Sequence, residues 1–500
     1  MTYISVNFIY FLIIFLLAYS MIPQQRIKKL LLLAGNLCFY WWAGKAALAI
    51  IIGSAVVVYA CARGVDWVYA GYRQKAPELS PPDRLGLFKE YKKKSIYIVA
   101  GALALLLGFL IYVKAGRYLG WEKNNRLLIV PLGISYYTLS MVGYLIDIYR
   151  DKVKCERNIL SFMTCVTFFP HIIQGPISRY DKLLQQINNL PGFEYERLCN
   201  GLQLMLWGYL KKLVLADTLY LYTTNVFSNL SGYRLVNIVV AMVLYAVQLY
   251  ADFSGCIDIV SGIAQIMGIN LEKNFERPFF SQSAGEFWRR WHISLGQWFK
   301  DYIYMPIATA SWFKGITKKI RKSRGRQWGI IISVTVPSLA VWVMTGIWHG
   351  TGLDYILWGL YWGSIIILSE ILDNWYGKIR DRLGLSKENL FLRVFRMGRT
   401  FGFYCVGLLI IIRSSVAYVA GNLERTVWEN GIIIIGPMVL LAVECLQEKF
   451  HKQGKTIRGF LGKQRIVVRW TIYLAALMAL AVFGRFGVGY DADTFIYASF

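Results

Sequence analysis

Trp328-Gly-Ile-Ile-Ile-Ser-Val-Thr-Val-Pro-Ser-Leu-Ala-Val-Trp-Val-Met-Thr-Gly-Ile-Trp348 contains no charged side chain, and His349 and Gly350 follow it directly. A helix crosses the hydrocarbon core of a bilayer with ~20 mostly apolar residues, and this run has that length. Just before it, Lys314 to Arg326 holds seven basic residues and no acid. An apolar run with a basic flank is the signature of a membrane span and its cytoplasmic loop.

The pattern recurs along the chain. Tyr3–Ile22, Leu30–Ala43, Ala46–Ala62, Ile96–Val113, Leu127–Ile148 and Ile238–Tyr250 are further apolar runs, followed later by Tyr355–Leu372, Phe401–Ala420, Gly431–Cys445 and Trp470–Gly487. The stretch from Ile159 to Met267 is also apolar but is interrupted by Pro170, Pro176 and several glycines. Irregular backbone at membrane depth survives only where protein buries it or where it lines a wet cavity. The expected fold is therefore all-α and polytopic, with about 11–13 membrane-embedded helices, some of half length. One membrane-embedded domain is expected over residues 1–500.

Composition agrees. Of 500 residues, 56% are hydrophobic and 17% charged, while Lys and Arg outnumber Asp and Glu 55 to 29, a net +26. Soluble domains carry ~25% charged residues. A nucleic-acid domain gathers its base on one soluble face, whereas here the basic residues lie between apolar runs. Tyr3–Ile22 lacks a basic leader and is longer than the ~7–15 apolar residues of a signal peptide, so it is expected to be a permanent span. Arg63–Lys94 with eight basic residues, Lys314–Arg326 with seven and Lys449–Arg469 with seven are expected on the cytoplasmic side, with both termini outside. Lys114, Arg117, Lys123 and Arg126 run against that arrangement. The eight cysteines are scattered and show no Cys-x-x-Cys pair, so neither a metal site nor a disulfide framework is expected.

Of four histidines, His451 lies in a basic loop and reads as solvated, while His171, His292 and His349 lie in or beside apolar sequence. Ionisable groups are costly there and mark functional candidates. His349 is flanked by Gly346 and Gly350, which admit a substrate or another backbone. A neutral imidazole can take a proton from a hydroxyl; a core histidine bonded to a carbonyl fits the same setting. His292 sits in Glu286-Phe-Trp-Arg-Arg-Trp-His-Ile-Ser-Leu-Gly-Gln-Trp-Phe-Lys-Asp-Tyr302. On a helical plot Trp288, Trp291, Leu295, Trp298 and Tyr302 form one stripe, with Arg289, Arg290, Gln297, Lys300 and Asp301 across from it. That pattern predicts a single interfacial amphipathic helix. Asp252 and Asp258 lie within an apolar run and are expected to pair with Arg289 or Arg290, or else to serve an ion path. His171, between Pro170 and Pro176, reads as a cavity-lining residue of unassigned role.

Phosphate-loop, Gly-x-Ser-x-Gly and His-Glu-x-x-His motifs do not occur in the chain. Any chemistry then rests on histidine acting between two bound substrates.

The block from Asn274 to His292, continuing through Asp301-Tyr-Ile-Tyr-Met-Pro306, resembles the membrane-bound O-acyltransferases. More narrowly it is similar to their bacterial branch, which acts on alginate and teichoic acids. Trp348-His349-Gly350 with Tyr355-Ile-Leu-Trp-Gly-Leu360, Pro131–Thr138, Phe168–Ile177 and Ala251–Gly255 resemble further family segments, as does the terminus Phe495–Phe500 apart from Ala498. The resemblance implies a helical fold around a central funnel, His349 as catalytic base and His292 as the second signature histidine. Trp348, Trp288, Arg289, Arg290, Asp252 and Asp301 are then expected to bind substrate or support the site, with no metal and no bound cofactor. It implies a multi-pass protein of a bacterial plasma or inner membrane. The co-substrate would be an acyl thioester, acetyl-CoA or an acyl carrier protein, arriving from the cytoplasm. The acceptor would be a hydroxyl of an extracellular glycan, with an extracellular acetyltransferase or carrier protein as partner. D-alanyl transfer to teichoic acid is the alternative within the family, and a transporter or flippase the alternative from another class; no similarity between two halves supports the latter.

Overall fold

The computed structural model describes residues 2–119, 131–350, 352–382, 384, 386, 389–416 and 427–486. Phe495–Phe500, Lys123 and Arg126, and the ends of the Leu127–Ile148, Phe401–Ala420 and Trp470–Gly487 runs lie outside the described residues. The chain divides into two compact units, Met1–Leu202 with Val260–Glu272, and Gln203–Ile259 with Lys273–Phe500.

The helices are α1 (Val6–Met21), α2 (Gln25–Ala43), α3 (Lys45–Lys75), α4 (Pro81–Tyr118), α5 (Ile134–Tyr149), α6 (Ile159–Val166), α7 (Phe169–Ile172), α8 (Tyr180–Asn188) and α9 (Tyr195–Tyr209). A π-helical stretch, Leu210–Ala216, leads to α10 (Asp217–Ser228), α11 (Leu235–Ile266), α12 (Ala284–Arg290) and α13 (Ile293–Phe299). A second π turn, Lys300–Tyr304, precedes α14 (Met305–Thr309), α15 (Ser311–Arg324), α16 (Arg326–His349), α17 (Leu353–Arg382), α18 (Leu390–Val416), α19 (Val427–Lys452), α20 (Ile457–Gly462) and α21 (Ile466–Phe483).

Among the described residues eight helices are long and apolar enough to cross a membrane: most of α3, α4, α11, α16, α17, α18, α19 and α21. The apolar α1, with 16 residues, is shorter than that. The expected figure of 11–13 included half-length elements, and the segment between Ile159 and Ser228 supplies several: α6, α8 and α10 run for 8, 9 and 12 residues. The run at Ile238–Tyr250 lies in the first half of a much longer helix, α11, which carries Asp252 and Asp258 in unbroken turns.

In the first unit, the apolar ends of α1 and α2 close on the irregular segment around Pro170. Asn36, buried on α2, accepts a bond from the Phe169 amide (3.1 Å) and donates to the Thr164 carbonyl (3.2 Å), while Tyr3 donates to the Phe169 carbonyl (2.5 Å). Backbone groups that no helix satisfies are thus met by side chains. Gly133 adopts φ 72°, and a Cβ there would lie 2.0 Å from the Ile172 carbonyl oxygen. His171 is buried and lines a small cavity with Tyr137, Ser140, Met141, Cys165 and Tyr180, as its placement between prolines predicts.

The second unit buries an aromatic core in which Phe287, Trp288, Trp291, Trp342, Trp358, Trp362 and Tyr404 stack or meet edge to face. Such pairs add ~0.5–1.5 kcal/mol each beyond area burial. This core holds the two signature histidines.

Candidate active site

The single amphipathic helix expected over Trp288–Tyr302 is not formed. Helix α12 ends at Arg290, α13 starts at Ile293, and His292 between them adopts φ 46°, ψ 52°. The cause is a competing backbone partner. Phe275 bridges Trp291 in antiparallel fashion, and the Glu276 amide donates to the Arg290 carbonyl (2.9 Å). The Ile293 amide donates to the Asn274 carbonyl (3.0 Å), and the Ser294 amide to the Asn274 side chain (3.2 Å). Asn274 therefore caps α13 from a distant strand-like segment, and the left-handed residue turns the chain between the two short helices. Trp288 and Trp291 face the protein core instead of a lipid headgroup layer. Ser283 accepts from the Glu286 amide (3.1 Å) and starts α12; Glu286 in turn bonds the Gln282 amide (2.8 Å).

Burial pulls the pKa of His292 down to about 3, so its ring is neutral at physiological pH. Phe253 on α11 meets that ring edge to face at 4.9 Å. Trp348 lies 6.1 Å from it between ring centres, and the same indole lies 4.9 Å from His349. The two histidines, 349 − 292 = 57 positions apart in sequence, thus share one tryptophan. His349 closes α16, is 8% exposed, and meets Trp358 of α17 edge to face at 5.1 Å.

Glycines allow this placement. A Cβ on Gly346 would sit 2.3 Å from the Tyr355 carbonyl oxygen, one on Gly350 2.2 Å from the Tyr355 ring, and one on Gly359 2.4 Å from the Trp342 carbonyl oxygen. Gly346 and Gly350 therefore receive a neighbouring helix. Beside His349 lies a narrow cavity walled by Trp288, Trp291, Tyr355, Trp358 and Tyr404 among others. The buried indole N–H of Trp288 has no hydrogen-bond partner among the described residues.

The remaining site candidates fall elsewhere. Asp252 and Asp258 do not pair with Arg289 or Arg290. Lys212 Nζ lies 2.6 Å from Asp252 and 2.8 Å from Asp217, while Lys211 Nζ lies 2.8 Å from Asp258 and from the Ser254 hydroxyl. The lysines reach α11 from the π-helical stretch. Arg290 instead pairs with Glu286 on its own helix (2.7 Å), and Arg289 is exposed. Asp301, half-buried in the π turn, accepts the Gln297 amide (3.0 Å) and is not on the cavity wall. Asp252 immediately precedes Phe253, so its ion pair anchors the residue that touches His292. Lys211 and Lys212 were legible: two adjacent lysines inside an apolar run obey the rule that singled out the histidines. Glu444, bonded to Tyr250, and Arg277, paired with Glu448 (2.9 Å), complete a buried polar set.

Among the described residues, an all-α arrangement with eight candidate spans and two buried histidines around one tryptophan defines a polytopic membrane protein with a histidine-centred site. Residues 154–412 match the model of the membrane-bound O-acyltransferase family, MBOAT. The chain belongs to that family and is an O-acyltransferase. It is 29% identical to a protein of Pseudomonas syringae pv. tomato named "probable alginate O-acetylase", across 84% of this chain and 74% of the relative. A peptidoglycan O-acetyltransferase of Helicobacter pylori is 28% identical over 67% of this chain and 63% of its own length. A teichoic acid D-alanyltransferase of Bacillus subtilis is 28% identical over 68% and 80% respectively. Family membership sets aside the transporter alternative, and both aspartates it would have used are engaged by lysines.

Proposed function

We propose that this protein acetylates a hydroxyl of a cell-surface polysaccharide in a bacterial inner membrane, using a thioester delivered from the cytoplasm. The reading is carried by one observation: His349 and His292 both contact Trp348, beside an aromatic cavity that His349 lines. His349 accepts the proton of the acceptor hydroxyl as its oxygen attacks the thioester carbonyl. The tetrahedral intermediate collapses with cleavage of the C–S bond, and the imidazolium returns the proton to the departing thiolate. No covalent acyl-enzyme is needed, in keeping with the absence of a nucleophile motif. A neutral His292 can donate one ring N–H, and the Trp288 indole offers another donor toward the developing oxyanion. Arg289, exposed on α12, suits a phosphate or carboxylate of the donor, acetyl-CoA or an acyl carrier protein. The alginate and peptidoglycan acetyltransferase relatives favour acetyl; the teichoic acid relative keeps D-alanyl transfer as the second reading. An extracellular acetyltransferase acting on the same polymer would be its partner on the far side, and an acyl carrier protein, where that is the donor, its partner on the cytoplasmic side.

The test compares O-acyl content of the surface polymer in cells making wild type, His349→Ala or His292→Ala at matched membrane levels. Loss of a general base costs ~10²–10⁴-fold, so His349→Ala should leave only background acylation. Unchanged acylation in His349→Ala would falsify the assignment. Mild base release followed by assay of acetate and D-alanine decides between the two acyl groups.

A further inference from the structure

Helix α15, Ser311-Trp-Phe-Lys-Gly-Ile-Thr-Lys-Lys-Ile-Arg-Lys-Ser-Arg324, has six basic residues, no acid, and no part in the site described above. Positions four apart share a row on a helix. Phe313, Thr317 and Arg321 form the row toward the protein: Phe313 is buried, Thr317 half-buried, and the stem of the otherwise exposed Arg321 lies against α16, where a Cβ on Gly329 would sit 2.8 Å from Arg321 Cβ. Beside that row run Lys314, Lys318 and Lys322, all exposed. Next come Gly315, Lys319 and Ser323, also exposed. The last row begins with Trp312 and Ile316, two large apolar side chains that remain 61% and 44% exposed. Only Gly325, at φ 93°, separates this helix from membrane span α16, whose Trp328 is also exposed.

The uncovered half of α15 thus changes from lysine at one edge to tryptophan and isoleucine at the other. That is what a helix presents when it lies at headgroup depth, apolar edge toward acyl chains and ammonium groups toward phosphates. A docked soluble protein would cover Trp312 and Ile316 but gives no reason for the helix that carries them to lead, across one glycine, into a membrane span. We propose that α15 is a binding surface for anionic phospholipid, with Lys314, Lys318, Lys319 and Lys322 holding headgroup phosphates and Trp312 and Ile316 inserted among the acyl chains. The lysines act as point charges without a fixed fork, so they select charge, not a particular headgroup shape.

The full chain, purified in detergent and equilibrated with equal amounts of phosphatidylglycerol and phosphatidylcholine, can be examined by native mass spectrometry. Wild type should retain phosphatidylglycerol preferentially. The variant K314Q/K318Q/K319Q/K322Q changes exposed side chains only, and should lower that preference by about fivefold per charge removed. Trp312→Ser with Ile316→Ser should reduce retention of both lipids and leave the preference intact. Equal retention of the two lipids by wild type, or an unchanged preference in the glutamine variant, overturns the proposal. Displacement of lipid by inorganic phosphate beyond that by chloride at equal ionic strength overturns it in favour of a free-phosphate site. Capture of an acidic acyl carrier protein that the glutamine variant abolishes, with lipid preference unaltered, assigns the surface to a protein instead.

Discussion

His292 is a non-glycine residue in the left-handed region, held there by Asn274, which accepts from the two amides that follow it, Ile293 and Ser294. Asparagine tolerates that conformation as well as histidine does, so His292→Asn should fold while losing the ring that contacts Trp348. Its pH behaviour is specific. The buried ring has its pKa lowered from 6.5 to about 3, whereas in the unfolded chain it protonates near 6.5. Between those values the unfolded state binds more protons, so stability falls as pH drops from about 6.5 toward 3 and is unaffected above. His171, lowered to about 3 by the same cause, adds a parallel contribution. Thermal unfolding in detergent should therefore show a smaller loss between pH 7 and 5 in His292→Asn than in wild type; equal losses would refute burial of a neutral ring. Lys212 is 1% exposed between Asp252 and Asp217. Lys212→Met leaves two buried carboxylates without their cation and should cost ~3–5 kcal/mol, read from denaturation midpoints.

At the scale of elements, α16 and α17 meet through glycine. Adding a side chain at Gly346 drives Cβ to 2.3 Å from backbone oxygen, and a carbonyl in a helix has no free torsion with which to retreat. Gly346→Val should separate the helices, cost ~1–3 kcal/mol by overpacking, and reduce acylation through displacement of His349. A variant with wild-type stability and activity would contradict that contact. The spans here were legible as apolar runs because hydrophobic length is a local property of the chain. The break at His292 was not, since the tryptophan stripe is consistent with one helix and the backbone is competed for by the segment Asn274, Phe275 and Glu276, with Phe275 lying 16 positions from Trp291 (291 − 275). In the same way Asp252 was recognisable as needing a cation, while the choice of Lys212 over Arg289 depended on how the π-helical stretch packs on α11.

For the molecule as a whole, the net +26 resides largely in blocks between spans. Between Lys314–Arg326 and Lys449–Arg469 the chain passes through α16, α17, α18 and α19, four candidate spans. An even number of crossings returns the chain to the side it left. Cysteines placed at Ser323 and Gln464 in a cysteine-free background should react with an impermeant maleimide from the same face of sealed vesicles; opposite labelling would break the count. Membrane residence, helical class and the two histidines worth testing follow from the chain's one-dimensional pattern, because transfer free energy and span length depend on neighbours in sequence. The pairing of lysines with buried aspartates, the interruption of the signature helix and the meeting of both histidines on Trp348 depend on contacts between distant segments. Those are settled by which backbone and charged groups come within a few ångströms of each other once the helices pack.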